Sequence, residues 1–135
     1  MAKQTSIYQP KGFNTASLLI ENADGTTVQD LIAAGADDSI IKAVCVSSTD
    51  TSGRVLDLYL SDGTTDVLIG SFTVPASAGA NPAVRPVDLL AAAWLPLIEG
   101  KRVLPLAAGW KLRVAVQVAV TTAKVVAVSA HASDY

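Results

Sequence analysis

The chain has 135 residues, half of them apolar, with ten basic and twelve acidic residues, a net charge of −2 and one cysteine. That length fits one domain. The charge offers no basic excess to phosphate backbones or anionic lipid, and a single thiol forbids an intrachain disulfide. Ala (22) and Val (16) dominate while aromatics reach only 5%, so the predicted core is built from small side chains rather than rings.

Residues 1–15 set Ile7, Tyr8 and Phe13 among polar and turn-forming residues with no period of 2 or 3.6. They read as an extended arm, either frayed as chain ends often are or ordered against a neighbour through its aromatics. Residues 1–10 contain no apolar stretch of the kind that directs secretion, which predicts a protein that stays where it is made. From Ala16 the text is strand-like up to Glu21 and ends at the turn signal Asn22-Ala23-Asp24-Gly25. Thr26 to Gln29 fits a capping box, and Val28, Leu31 and Ile32 stand at i, i+3 and i+4, which predicts a short helical turn. Ser39 to Ser47 is β-branched and nearly continuous in apolar character, as expected of a central strand covered on both faces.

Arg54 to Leu60 alternates, with Leu56, Leu58 and Leu60 on one side and Val55, Asp57 and Tyr59 on the other. Asp62-Gly63 then turns the chain into Val67–Val74, a hairpin signal. Pro75, Pro82 and Pro86 punctuate a long loop of almost no charge. Pro86 at a first helical position and Asp88 in the first turn predict a short helix to Trp94, stopped by Pro96. The apolar run Leu89–Ile98 is ten residues long, half of what a membrane-spanning helix needs. Within it, Trp94, Leu95 and Ile98 form a candidate contact patch that packs under a loop or against another subunit. Arg102–Leu106 reads as an edge strand because of Pro105, followed by a turn at Ala107-Ala108-Gly109.

Period two is clearest from Lys111 to Val120, where every even position from Leu112 onward is large and aliphatic. Thr121-Thr122-Ala123 turns this run into Val125–Ala130 as a C-terminal hairpin. Seven or eight short strands predict an all-β fold, an antiparallel β-sandwich or jelly roll of residues 16–135 carrying the arm and one short helix.

Chemistry has few candidates. His131 is the only histidine and Cys45 the only cysteine, so ligand count excludes a zinc site. No nucleophile elbow, P-loop or dinucleotide fingerprint is present. Asp37-Asp38 and the Asp62/Asp66 pair sit in turn sequences, where a carboxylate caps backbone donors; calcium at residues 62–66 lacks the ligand run of an EF-hand. These observations predict no catalytic residue, no cofactor and no metal. Trp94, Trp110, Phe72 and Tyr59 are core or interface anchors.

The order of several short passages resembles small structural proteins of tailed-bacteriophage virions. They are residues 33–41 (AAGADDSII), 47–52 (SSTDTS), 56–63 (LDLYLSDG), 74–76 (VPA), 87–90 (VDLL), 104–109 (LPLAAG) and the closing Asp134-Tyr135. The chain looks most like the capsid cement or decoration proteins. That resemblance implies a β-sandwich on the outer face of the shell, made in the host cytoplasm and bridging neighbouring major capsid subunits. It implies partners in the major capsid protein and in further copies of itself, as a dimer or trimer, with no enzymatic activity, nucleic acid or membrane involved. The implied contacts are the Ile7/Tyr8/Phe13 arm, the Pro75–Pro82–Pro86 loop and the Trp94/Leu95/Ile98 patch. A tail, neck or head-fibre component shares these signals, and a sugar-binding sandwich would use Trp110 beside Asp57 and Tyr59.

Overall fold

The structure, a computed structural model, describes residues 11–91, 95, 97–98 and 100–135. Ile7, Tyr8 and Trp94 lie outside the described residues, as does the side chain of Ile98. The strands are β1 (Gly12–Glu21), β2 (Gln29–Ala33), β3 (Ser39–Ser48), β4 (Arg54–Ser61), β5 (Asp66–Val74), β6 (Val87–Asp88), β7 (Leu97–Ile98), β8 (Lys101–Arg102), β9 (Leu104–Leu106), β10 (Lys111–Val116) and β11 (Val125–Asp134). All named pairings are antiparallel.

Two sheets form the sandwich. One has the order β1-β11-β3-β6, with β9 also pairing β3; the other has the order β2-β10-β4-β5; β7 and β8 make a separate small ribbon. Because side chains alternate across a strand, each sheet turns one aliphatic row inward. Ile20, Ile41, Val44, Val46, Val126, Val128 and Ala130 from the first sheet meet Leu31, Ile32, Leu56, Leu58, Leu112, Val114 and Val116 from the second. The predicted small-residue core is present, filled by Val, Leu, Ile and Ala, and among the described residues no ring is fully buried.

The β4–β5 hairpin forms as its Asp-Gly turn predicts: Asp62 Oδ1 accepts from the amides of Thr64 and Thr65, and Gly63 takes the positive φ of 99°. Pro105 sits on an edge strand, opposite Ile40. The turn Asn22–Asp24 is a single 3-10 turn closed by Gly25 at φ 58°.

Six expectations are corrected. First, residues 12–15 belong to β1 rather than to the arm, since the strand pairs with β11 from Gly12 onward. Second, the helical turn expected near Thr26–Ile32 is strand β2. A bulge opposite Leu112/Arg113 sends the adjacent Leu31 and Ile32 both inward, and this counterfeits helical spacing.

Third, β3 is central but covered on one face only: Ile41, Val44 and Val46 are buried while Cys45 is exposed. Fourth, Val87-Asp88 is an edge strand rather than a helix start, because β3 has an open edge to fill and the Leu89 amide continues the ladder to Val44 O at 2.9 Å. Among the described residues the only helical element is the 3-10 turn, and no helix is long and apolar enough to cross a membrane.

Fifth, the period-two run ends at Val116; Val118 is 60% exposed before Val120 is buried again. Sixth, β10 and β11 are not a hairpin. They belong to different sheets, so residues 117–124 carry the chain from one layer to the other.

Candidate contact surface

The two outer faces of the sandwich differ in chemistry. On the four-stranded sheet, Arg113 of β10 reaches both sides. Its Nε lies 2.7 Å from Asp30 Oδ1, its Nη1 donates to Asp66 Oδ2 at 2.7 Å, and its Nη2 donates to Val28 O at 3.2 Å. Lys111 Nζ adds a contact to Asp30 at 3.1 Å, and this hydrogen bond is the main reason the Asp30 carboxyl is held below its ordinary range. Asp57 accepts from Ser71 Oγ at 2.6 Å and Gln117 Nε2 at 2.8 Å. This face is a solvated lattice of ion pairs and polar bonds.

The outward face of the five-stranded sheet carries no such lattice. Register places Thr15, Ser17 and Leu19 of β1 beside His131, Ser129 and Ala127 of β11, and those beside Ala43, Cys45 and Ser47 of β3. None of these nine is acidic or carries a permanent positive charge; Glu21, Lys42 and Asp88 flank them. Ser17, Leu19, Cys45, Ser47, Ala127, Ser129 and Pro86 line a shallow open depression of about 270 Å³. Leu19 is 59% exposed and Phe13, further along the same row of β1, is 88% exposed.

The described residues among those singled out in the sequence do not assemble into one surface. Phe13 stands on this outward row, and Pro86 borders the depression. Pro75 and Pro82 are exposed on a loop that is compactly bonded rather than free: Ser77 takes φ 58°, Gly79 N donates to Val84 O at 2.8 Å, and Ala78 O accepts from Ser48 N at 2.8 Å. Leu95 is only 3% exposed, and its carbonyl accepts from Arg102 Nη1 at 2.7 Å, so it is a core residue and not a contact. Leu97, beside it, is 57% exposed.

The sugar-site residues are separated. Trp110 precedes β10, whereas Asp57 faces Ala115, about five residues or ~17 Å along the sheet, and Asp57 is occupied by Ser71 and Gln117. Carboxylates read as turn caps behave as such or pair with cations: Asp62 holds two amides, Asp66 binds Arg113, Asp37 binds Lys11 at 2.6 Å and Asp38 Oδ1 accepts from Ala108 N. Among the described residues no group of His, Cys, Asp or Glu is arranged to hold a metal.

The missed surface had a signal. Solvent-facing positions of a half-buried strand usually include charge, yet neither parity of β1 between Gly12 and Ile20, nor of β11 between Val125 and Ser133, contains Asp, Glu, Lys or Arg.

No protein-family model matches the chain. No curated protein matches it either. Among solved structures it is similar to two crystal structures of a pentameric capsid protein isolated from metagenomic phage sequences, at 20% identity in each case. The matches cover 90% of this chain and 62% and 60% of those chains, with TM-scores of 0.38 and 0.39. This chain therefore spans about three fifths of those proteins' length. Its fold rests on its own strand pairing, two antiparallel sheets in a sandwich.

Proposed function

We propose that this protein is a non-enzymatic structural component of a tailed-phage virion: a cement protein that binds the outside of the capsid and bridges neighbouring major capsid subunits. The observation that carries the reading is the strand order. The sheets β1-β11-β3-β6 and β2-β10-β4-β5 support a jelly roll, in which the chain passes repeatedly between layers, an architecture common in viral capsid and lectin domains. A fold does not fix a function by itself; the sequence resemblance to decoration proteins supplies the direction, and the contrast between the two outer faces supplies a contact.

The face around Ser17, Leu19, Cys45 and Ser129 is the proposed footprint on the shell. Desolvating it strips water from few charges, whereas burying the Asp30–Arg113–Asp66 lattice would cost the hydration of every ion in it. Many copies each bury a modest area, and binding to the assembled state alone stabilises that state by linkage. Cys45 provides the test. A maleimide labels Cys45 in the free protein and labels it at least tenfold more slowly once the protein is mixed with undecorated capsids and co-sediments with them. Co-sedimentation with unchanged labelling places the contact elsewhere, and no co-sedimentation overturns the reading.

A further inference from the structure

Among the described residues, every edge of the two sandwich sheets but one is blunted. At the far edge of the five-stranded sheet, β6 is two residues long and β9 is three with Pro105 at its centre. In the other sheet, β2 is short, bulged and carries Asp30, and β5 begins at Asp66 and is bulged where Leu58/Tyr59 face Gly70/Leu68. Short length, proline, bulges and charge are the devices by which soluble proteins keep edges from pairing. β1 has none of them before its last residue, Glu21. It runs ten residues in unbroken register with β11, contains no proline, and has no charged residue between Gly12 and Ile20. Among the described residues no strand pairs its other edge.

We propose that this edge pairs with a second copy of itself, the two β1 strands running antiparallel about a two-fold axis at Ala16. The outward row of β1, extended by one residue at its start, reads Lys11, Phe13, Thr15, Ser17, Leu19, Glu21. It is a palindrome in chemistry: a charge, a large apolar group, a small polar group, then the same in reverse with the opposite charge. Centring the pair on Ala16 sets Phe13 against Leu19 of the second copy, Thr15 against Ser17, and Lys11 against Glu21, each contact made twice. Phe13 and Leu19 are the two exposed large hydrophobics of this strand, at 88% and 59%. Lys11 already holds Asp37 at 2.6 Å, but an ammonium has three donors and serves both carboxylates. A strand from an unrelated protein would need no palindrome; an isologous contact does, because the same patch must complement itself. The pairing requires only a second copy and no shell, so it stands or falls apart from the virion reading. If both hold, two sheets merge and double the uncharged face offered to a shell.

Sedimentation equilibrium of the full chain in a Cys45→Ser background tests it. The expected result is a reversible dimer. The double variant Thr15→Lys/Ser17→Lys, which sets lysine against lysine at both pairs, weakens the dimer at least tenfold while its far-ultraviolet circular dichroism is unchanged, as befits two exposed positions. Register is read by mixing a Thr15→Cys chain with a Ser17→Cys chain: mild oxidation gives mostly the mixed disulfide dimer. A chain that stays monomeric at all concentrations, or a dimer unaffected by the two lysines, overturns the proposal. So does a dimer that appears only after deletion of residues 1–10, which would assign the edge to the chain's own N-terminal segment.

Discussion

Asp50 accepts two hydrogen bonds from Thr121, seventy-one residues away, one from its amide at 3.0 Å and one from its hydroxyl at 2.8 Å. The carboxylate is fully buried and is completed by Arg54 Nε at 2.7 Å and the Ser52 amide at 3.0 Å. This ties the β3–β4 loop to the segment that carries the chain from β10 in one sheet to β11 in the other. Removing one partner of a buried ion pair strands the other without water. Asp50→Ala is therefore expected to cost about 3–5 kcal/mol, measured by urea unfolding.

The same residue sets the acid response. Burial alone would raise the Asp50 carboxyl, but the Thr121 amide, Arg54, the Ser52 amide and the Thr121 hydroxyl together hold it well below the ordinary carboxylate range. A group whose folded pKa lies below its unfolded one adds stability above the unfolded value, near ~3.9, and loses it as pH falls toward the folded value. Asp30, Asp37 and Asp62 are shifted in the same direction. The urea midpoint should stay level from about pH 7 to 5 and fall steeply below about pH 4, and Asp50→Asn should flatten that fall.

Gly35 is packed against the end of β11. A methyl group placed there would lie 2.8 Å from Asp134 Oδ2 and 2.9 Å from its Cγ. Asp134 has little freedom to retreat, since its Oδ1 accepts from the buried Ser39 hydroxyl at 2.5 Å, and that same oxygen of Ser39 accepts from the Gly35 amide at 2.9 Å. Gly35→Ala is expected to destabilise by about 1–3 kcal/mol, as overpacking does. Asp134→Ala in that background should recover part of the loss in the same unfolding assay.

Leu112 and Val118 look equivalent in the sequence, both even positions of one alternating run, but Leu112 is fully buried and Val118 is 60% exposed. Leu112→Ala should cost about 2–5 kcal/mol through lost burial and a residual cavity. Val118→Ala should change stability by less than about 0.5 kcal/mol. Equal effects at the two positions would mean that β10 continues past Val116.

What could be read in advance was whatever a local signal decides. Asp62-Gly63 fixes a hairpin because both residues are chosen by turn geometry, and Pro105 marks an edge because it lacks a donor. The central place of β3 followed from its β-branched run. What escaped was decided at a distance. Thr121-Thr122-Ala123 spells a turn, yet β11 goes to the other sheet, where its partners β1 and β3 are far away in sequence. The register shift at Arg113 decides that Leu31 and Ile32 both face inward, and Val87 becomes a strand because the open edge of β3 needs one. The uncharged outer face was legible only as missing charge along β1 and β11, a weaker signal than a motif. Leu95 misled because an apolar side chain next to a proline reads alike in a patch and in a core.

A reconstruction of the intact virion tests the central claim most directly. The account predicts density for this sandwich on the outside of the capsid, astride neighbouring subunits, with Ser17, Cys45 and Ser129 turned to the shell and the Asp30–Arg113–Asp66 lattice turned to solvent. Density confined to tail, neck or fibres, none at all, or a sandwich seated on its charged sheet would contradict it.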